Sequence, residues 1–166
     1  PWDAKIGKVV WRGGLSETNP NKVRGSARWR LCKLISELTG SPKDLFDVGL
    51  TNMPGFLKAQ MEIDESEVGG LANGIPDMTD FQKYVAVLDM DGNSWSSRFS
   101  TLLCYNSLTI KVEPAYVDHF YHDLVPWKHY VPVKSDLSDL VQNVEFVLDP
   151  NNDALVREIV CSANQW

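Results

Sequence analysis

The chain has 166 residues, 43% of them hydrophobic, six tryptophans and a formal net charge of −6. That is enough apolar material for one globular domain with its own core, and the acidic balance lacks the dense basic field that non-specific nucleic-acid binding needs. No apolar run is long enough to span a bilayer, and three widely spaced cysteines without a C-x-x-C pair argue against a zinc site.

Lys8-Val9-Val10-Trp11 is a strand-type run that ends in Arg12-Gly13-Gly14, a glycine pair permitting positive φ and close backbone approach. Asn19-Pro20 predicts a helix start, and Val23, Ala27, Leu31, Leu34, Ile35 and Leu38 recur at helical spacing up to Gly40. Arg24, Arg28, Arg30 and Lys33 lie off that stripe, either as a solvated basic face or as part of a phosphate cradle. There is no G-K-[ST] and no G-x-G-x-x-G here. Leu45–Leu50 predicts a second strand. Residues 52–80, rich in Pro, Gly and acidic side chains, predict a long surface excursion with one short helix near Leu57–Met61.

Phe81–Leu88 predicts the third strand. It runs into Asp89-Met90-Asp91-Gly92, a turn signal. Ser94 is the expected N-cap of a helix from Trp95 to about Tyr105. Ser96, Ser97 and Arg98 would then crowd its first turn, where free N–H groups and a positive dipole end favour an anion. Asp89-x-Asp91 is read as strand end and turn rather than as a metal signature, and Trp95 as a core anchor. Ser107–Val112 predicts the fourth strand. Glu113 after it is either a ribose-binding carboxylate or a solvated strand end. Tyr116–Leu124 predicts a short helix packed through its aromatic residues, Trp127–Val133 a fifth strand whose Pro132 indicates an edge or a strand end, and Asp136–Val147 a helix ended by Asp149-Pro150. A last helix follows Asn151 or Asn152. The cysteines Cys32, Cys104 and Cys161, all in apolar helical contexts, read as buried free thiols or as one disulfide plus a thiol. Alternating strands and helices give an α/β fold: a Rossmann-like parallel sheet with flanking helices, with ligands expected beyond the carboxyl ends of the strands.

Three separated stretches resemble glycosyltransferase family 90, which includes Rumi-type protein O-glucosyltransferases and capsule-associated xylosyltransferases. They are Val9–Gly14, Lys83–Phe99 and Phe120–Leu140, with Trp-Arg-Gly at 11–13 and His-Tyr-Val-Pro-Val at 129–133 among their residues. The resemblance implies the C-terminal, donor-binding half of a GT-B enzyme, so that residues 1–166 form one nucleotide-sugar-binding domain of a longer two-domain chain. It implies an inverting O-glycosyltransferase that passes glucose or xylose from a UDP-sugar to a protein or glycan acceptor, without a metal, in the endoplasmic reticulum lumen or Golgi. Arg12 and Arg98 would hold the diphosphate, with Gly13, Gly14, Ser94, Ser96 and Ser97 around it and Glu113 on the ribose. The general base would lie outside this chain, so no catalytic or metal-binding residue is assigned, nucleic acid is not a partner, and any membrane attachment lies elsewhere. Two other readings are a non-catalytic sugar- or protein-binding module and another nucleotide-dependent enzyme. The missing P-loop disfavours the second of these.

Overall fold

The computed structural model describes residues 1–17, 19–61 and 65–166. Thr18, in the loop after Gly14, and residues 62–64 of the long excursion lie outside them. Five strands form one parallel sheet: β1 (Ile6–Gly13), β2 (Phe46–Leu50), β3 (Tyr84–Asp89), β4 (Leu108–Val112) and β5 (Val131–Val133). Their order is β2-β1-β3-β4-β5. The fold is therefore α/β and Rossmann-like, as expected.

Parallel strands need crossover connections, and the helices of those crossovers bury both faces of the sheet. Val9 and Trp11 belong to one apolar cluster with Leu31, Leu88, Ile110 and Val144, whereas Val10, between them, packs with Val87, Leu102 and Tyr105 on the other side. All five residues of β4 are buried. Helices α1 (Ala27–Glu37), α2 (Ser41–Asp44), α3 (Gly55–Met61), α4 (Phe99–Leu103), α5 (Leu140–Leu148) and α6 (Asp153–Gln165) connect or cover the strands. Successive connections leave β1 and β3 toward opposite edges. The crevice between the loops that follow them is the topological switch point, where open parallel sheets hold ligands.

Several elements differ from the sequence expectation. The helix expected from Pro20 to Leu38 is two: a 3-10 segment, Pro20–Gly25, capped by Asn19, and then α1. Gly25 weakens the helix, and Ser26 adopts an extended backbone while its hydroxyl donates to the Val23 carbonyl and accepts from the Trp29 N–H. Residues 81–83 end a 3-10 turn, Met78–Lys83, so β3 starts at Tyr84. The excursion after β2 is not all surface: Met53, Leu57 and Val68 join the main core, and Leu71 bridges to Leu50. The helix expected over 116–124 is reduced to one 3-10 turn, Tyr121–Asp123. β5 is shorter than expected because Trp127 takes a left-handed φ of 62° in a tight turn. Its N–H donates to the Tyr130 carbonyl, and the buried His129 accepts the Val125 N–H. Pro132 does sit on an edge strand. All three cysteines are free, but Cys104 and Cys161 are exposed. Only Cys32 is buried, and burial pushes its thiol up to about 12. Among the described residues no helix is long and apolar enough to cross a membrane.

Candidate functional site

The carboxyl end of the sheet carries a row of charges on one face. Val10 pairs with Val87, so two residues further on Arg12 and Asp89 reach the same level, and Asp89 pairs directly with Lys111 of β4. Asp89 is fully buried. Its Oδ1 accepts from the Ser96 hydroxyl at 2.6 Å and Arg98 Nε at 3.1 Å, and its Oδ2 from Lys111 Nζ at 2.8 Å. A buried carboxylate needs such partners.

That need reshapes the segment after β3. Ser96 turns inward to Asp89 instead of capping a helix, and Phe99 N–H bonds to the Ser96 carbonyl, so α4 begins only at Phe99. Ser94 is exposed and makes no cap; its carbonyl accepts the Gly92 N–H. Ser97 is exposed, and Trp95 is 51% exposed rather than a core anchor. Arg98 sends Nη1 to the Arg12 carbonyl at 3.0 Å, while its buried Nη2 has no hydrogen-bond partner.

Arg12 itself points elsewhere. Its guanidinium spans toward the β2 edge, with Nη1 on the Asp47 carbonyl at 2.7 Å, Nη2 on the Asp47 carboxylate and Nε on the Asn73 carbonyl. Tyr84 Oη donates to the other Asp47 oxygen. Burial works against the Asp47 charge, yet the Tyr84 hydroxyl and Arg12 outweigh it and hold the carboxyl below its ordinary value. Neither Gly13 nor Gly14 has positive φ. Their small size serves packing: a Cβ on Gly13 would sit 2.7 Å from the Trp11 ring, and one on Gly14 2.8 Å from the Asn52 side chain.

The open crevice lies beside this cluster. It is a cleft of about 480 Å³, lined by Ser16 and Glu17 after β1, Met90–Asn93 after β3, Val112, Glu113, Ala115 and Tyr116 after β4, Ser135 after β5, and Ser26, Ala27, Arg28 and Arg30 from the start of α1. Of the residues singled out from the sequence as ligand contacts, Glu113 lines it; its Oε2 accepts the Ser135 N–H at 3.4 Å. The N-terminus of an 11-residue helix, with its free N–H groups and positive dipole end, therefore faces the cleft.

Arg28 stands at the centre of that wall. Its Nη1 donates to the Gly14 carbonyl at 2.7 Å and its Nε to the Asp91 carbonyl at 3.2 Å, tying the β1 loop to the β3 loop. The guanidinium lies 5.8 Å from the Trp11 ring centroid. A Cβ on Gly92 would come within 2.9 Å of Arg28 Nη2, so glycine is what lets the arginine pass. Burial first, and then the charge of Arg98, pull Arg28 down from its ordinary value against Asp89 and Asp91. Arg30 donates Nη2 to the Ser135 carbonyl at 2.9 Å and keeps a buried Nε without a partner. The sequence did show Arg28 and Arg30 as a basic helix face; which way they point depends on the break at Gly25-Ser26.

Asp91 lines the same cleft. Its Oδ1 accepts from Lys111 at 3.1 Å and its Oδ2 from the N–H groups of Ala115 and Tyr116 at 3.0 and 3.3 Å. Both aspartates thus fasten the strand ends through protein donors.

The cleft lies at the switch point of a Rossmann-like sheet, and comparison with known proteins gives the family. The model of glycosyl transferase family 90 matches residues 1–166. The chain is 38% identical over 166 residues to protein O-glucosyltransferase 1 of Rattus norvegicus, covering all of this chain and 38% of that protein. It is 34% identical over 165 residues to protein O-glucosyltransferase 2 of Danio rerio, covering 99% and 29%. It is 31% identical over 153 residues to protein O-glucosyltransferase 3 of Rattus norvegicus, covering 92% and 26%. The chain thus spans between a quarter and two-fifths of the length of these relatives. It belongs to glycosyl transferase family 90.

Proposed function

We propose that this chain forms the donor-binding domain of a UDP-sugar-dependent O-glycosyltransferase of GT-B architecture, with glucose transfer to a protein hydroxyl favoured by the names of its relatives. The observation that carries this reading is the cleft at the switch point, where the α1 N-terminus, Arg28 and Arg30 converge. Its residues fit a nucleoside diphosphate: the volume suits one, the first turn of α1 with Arg28 and Arg30 lines it, and Arg30 Nε stands buried with no acceptor in the protein.

The diphosphate lies against the α1 N-terminus and Arg28, and Glu113 accepts from ribose hydroxyls. Arg98 holds the Arg12 carbonyl through Nη1. Arg12 acts on the site through its carbonyl, its side chain being a brace to Asp47. An acceptor hydroxyl attacks the anomeric carbon from the face opposite the UDP. The bond to the β-phosphate oxygen breaks, its electron pair goes to the phosphate, and a carboxylate outside this chain takes the hydroxyl proton. Charge grows on the β-phosphate as the bond breaks. Fixed guanidinium groups and helix N–H donors aimed there stabilise the transition state, without need of a metal. Family resemblance favours a lumenal, secretory-pathway setting.

Calorimetric titration of UDP into the chain tests the site. Arg28→Ala is expected to weaken binding more than tenfold while circular dichroism shows the fold intact; undiminished binding would overturn the assignment. On a protein of the relatives' full length, a UDP-glucose and UDP-xylose panel reads the donor, and transfer indifferent to chelators is expected.

A further inference from the structure

Three acidic residues line the proposed cleft, Glu17, Asp91 and Glu113, and Asp91 alone of them is paired with a buried lysine. Asp91 lines it with its side chain 13% exposed, and Asp89 lies fully buried just beneath. Two carboxylates beside a diphosphate would repel it. Between them stands Lys111, the one residue of β4 whose side chain ends in a charge. It is 2% exposed, with Nζ 2.8 Å from Asp89 and 3.1 Å from Asp91, 4.9 Å from the Phe99 ring centroid and 5.6 Å from that of Tyr121. A buried ammonium is costly unless paired, and here its pairing is double. Burial pulls its pKa down, but the charge and hydrogen bond of Asp89 and the charge of Asp91 raise it on balance, so it stays an ammonium. Counting Arg98, which also bonds Asp89, the cluster holds two negative and two positive groups and is neutral.

From this geometry we infer that Lys111 is a positioning residue of the donor site: it cancels the charge of Asp91 toward the cleft and locks the loops after β3 and β4 in place. This rests on the reading of the cleft as a diphosphate site. The lock is visible in the bonds. Lys111 holds Asp91 Oδ1, Asp91 Oδ2 holds the Ala115 and Tyr116 N–H groups, and the Asp91 carbonyl holds Arg28. Lys111 never touches the ligand, so its electrostatic part is seen only with a charged one.

The test compares UDP with uridine, which shares the base and ribose but carries no phosphate, by calorimetry on this chain. The readout is the ratio of their dissociation constants, uridine over UDP. Lys111→Met should lower that ratio more than tenfold, because Asp91 is left uncompensated. Asp91→Asn should raise it two- to fivefold, because Lys111 is left in excess. Lys111→Met with Asp91→Asn should return it to within threefold of the parent. A purely structural role weakens both ligands together and leaves the ratio unmoved, which would overturn the inference. So would a lower ratio in Asp91→Asn, a variant that decides the matter alone if Lys111→Met does not fold. Failure of the parent chain to bind UDP counts instead against the donor-site reading itself.

Discussion

Two loop-to-helix junctions leave the carboxyl end of the same sheet, one after β1 and one after β3, and they use their polar residues in opposite ways. The junction after β1 delivers an 11-residue helix whose N-terminus, with Arg28 and Arg30, faces the open cleft. The junction after β3 looks richer in sequence, with three serines and an arginine, yet it delivers a five-residue helix, and Ser96 and Arg98 turn to a buried carboxylate. A buried charge outbids solvent and ligand alike for nearby donors, because leaving it unpaired costs more than any one surface contact returns. The donors left for an anion are those on the junction that has no buried acid to serve.

The comparison predicts a steep ranking of stability effects. Asp89→Ala should cost most, about 3–5 kcal/mol, because it strands the buried Lys111 with only Asp91 and leaves Arg98 Nε without its acceptor. Urea unfolding followed by circular dichroism measures it. A loss below about 1 kcal/mol would show that Asp89 does not organise this junction. Ser96→Ala should come next, at about 1.5–3 kcal/mol, as one hydrogen bond to the buried carboxylate is removed. If Ser96 instead served a ligand, its replacement would spare stability and weaken UDP binding, the reverse of the pattern expected here.

Much of the fold was legible from local pattern. β1 to β4 are apolar runs that form strands where expected, except that residues 81–83 form a turn before β3 begins at Tyr84. What was not legible depended on distant partners. Ser94 looked like a cap because Trp95–Tyr105 has helical spacing. The acid that recruits Ser96, Asp89, lies 7 residues before it, and the Lys111 that neutralises that acid lies 22 residues beyond Asp89. The segment after β4 failed as a helix for a similar reason. Asp91 takes the N–H groups of Ala115 and Tyr116, Asp118 takes that of His119, and Phe120 and Tyr121 pack on Phe99. For the site, the carboxyl end of the sheet was expected from the alternation of strands and helices, and Glu113 lines the cleft there; the switch point itself needs the strand order, which only the strand pairing shows. The side-chain direction of Arg12 could not be read, since Asp47, which holds it, and Tyr84, which holds Asp47, come from two other strands.

The smallest expected effects separate the two junctions most cleanly, because the same substitution can be made in each. Ser26→Ala removes a true N-cap: the hydroxyl accepts the Trp29 N–H at 3.4 Å, and the helix it starts is long. The contact is at the long end for a hydrogen bond, so the cost should fall at about 0.5–1 kcal/mol, the low side of measured caps. Ser94→Ala removes an exposed hydroxyl that caps nothing, and stability should stay within about 0.5 kcal/mol of the parent. UDP affinity adds a second axis. Fraying the first turn of α1 loosens Arg28 and the dipole end that face the cleft, so Ser26→Ala should weaken UDP a few-fold, whereas Ser94→Ala should not change it. If Ser94→Ala were the more damaging in either measurement, a helix would have to start at Trp95 after all, and the assignment of the anion site to the β1 junction would fall with it.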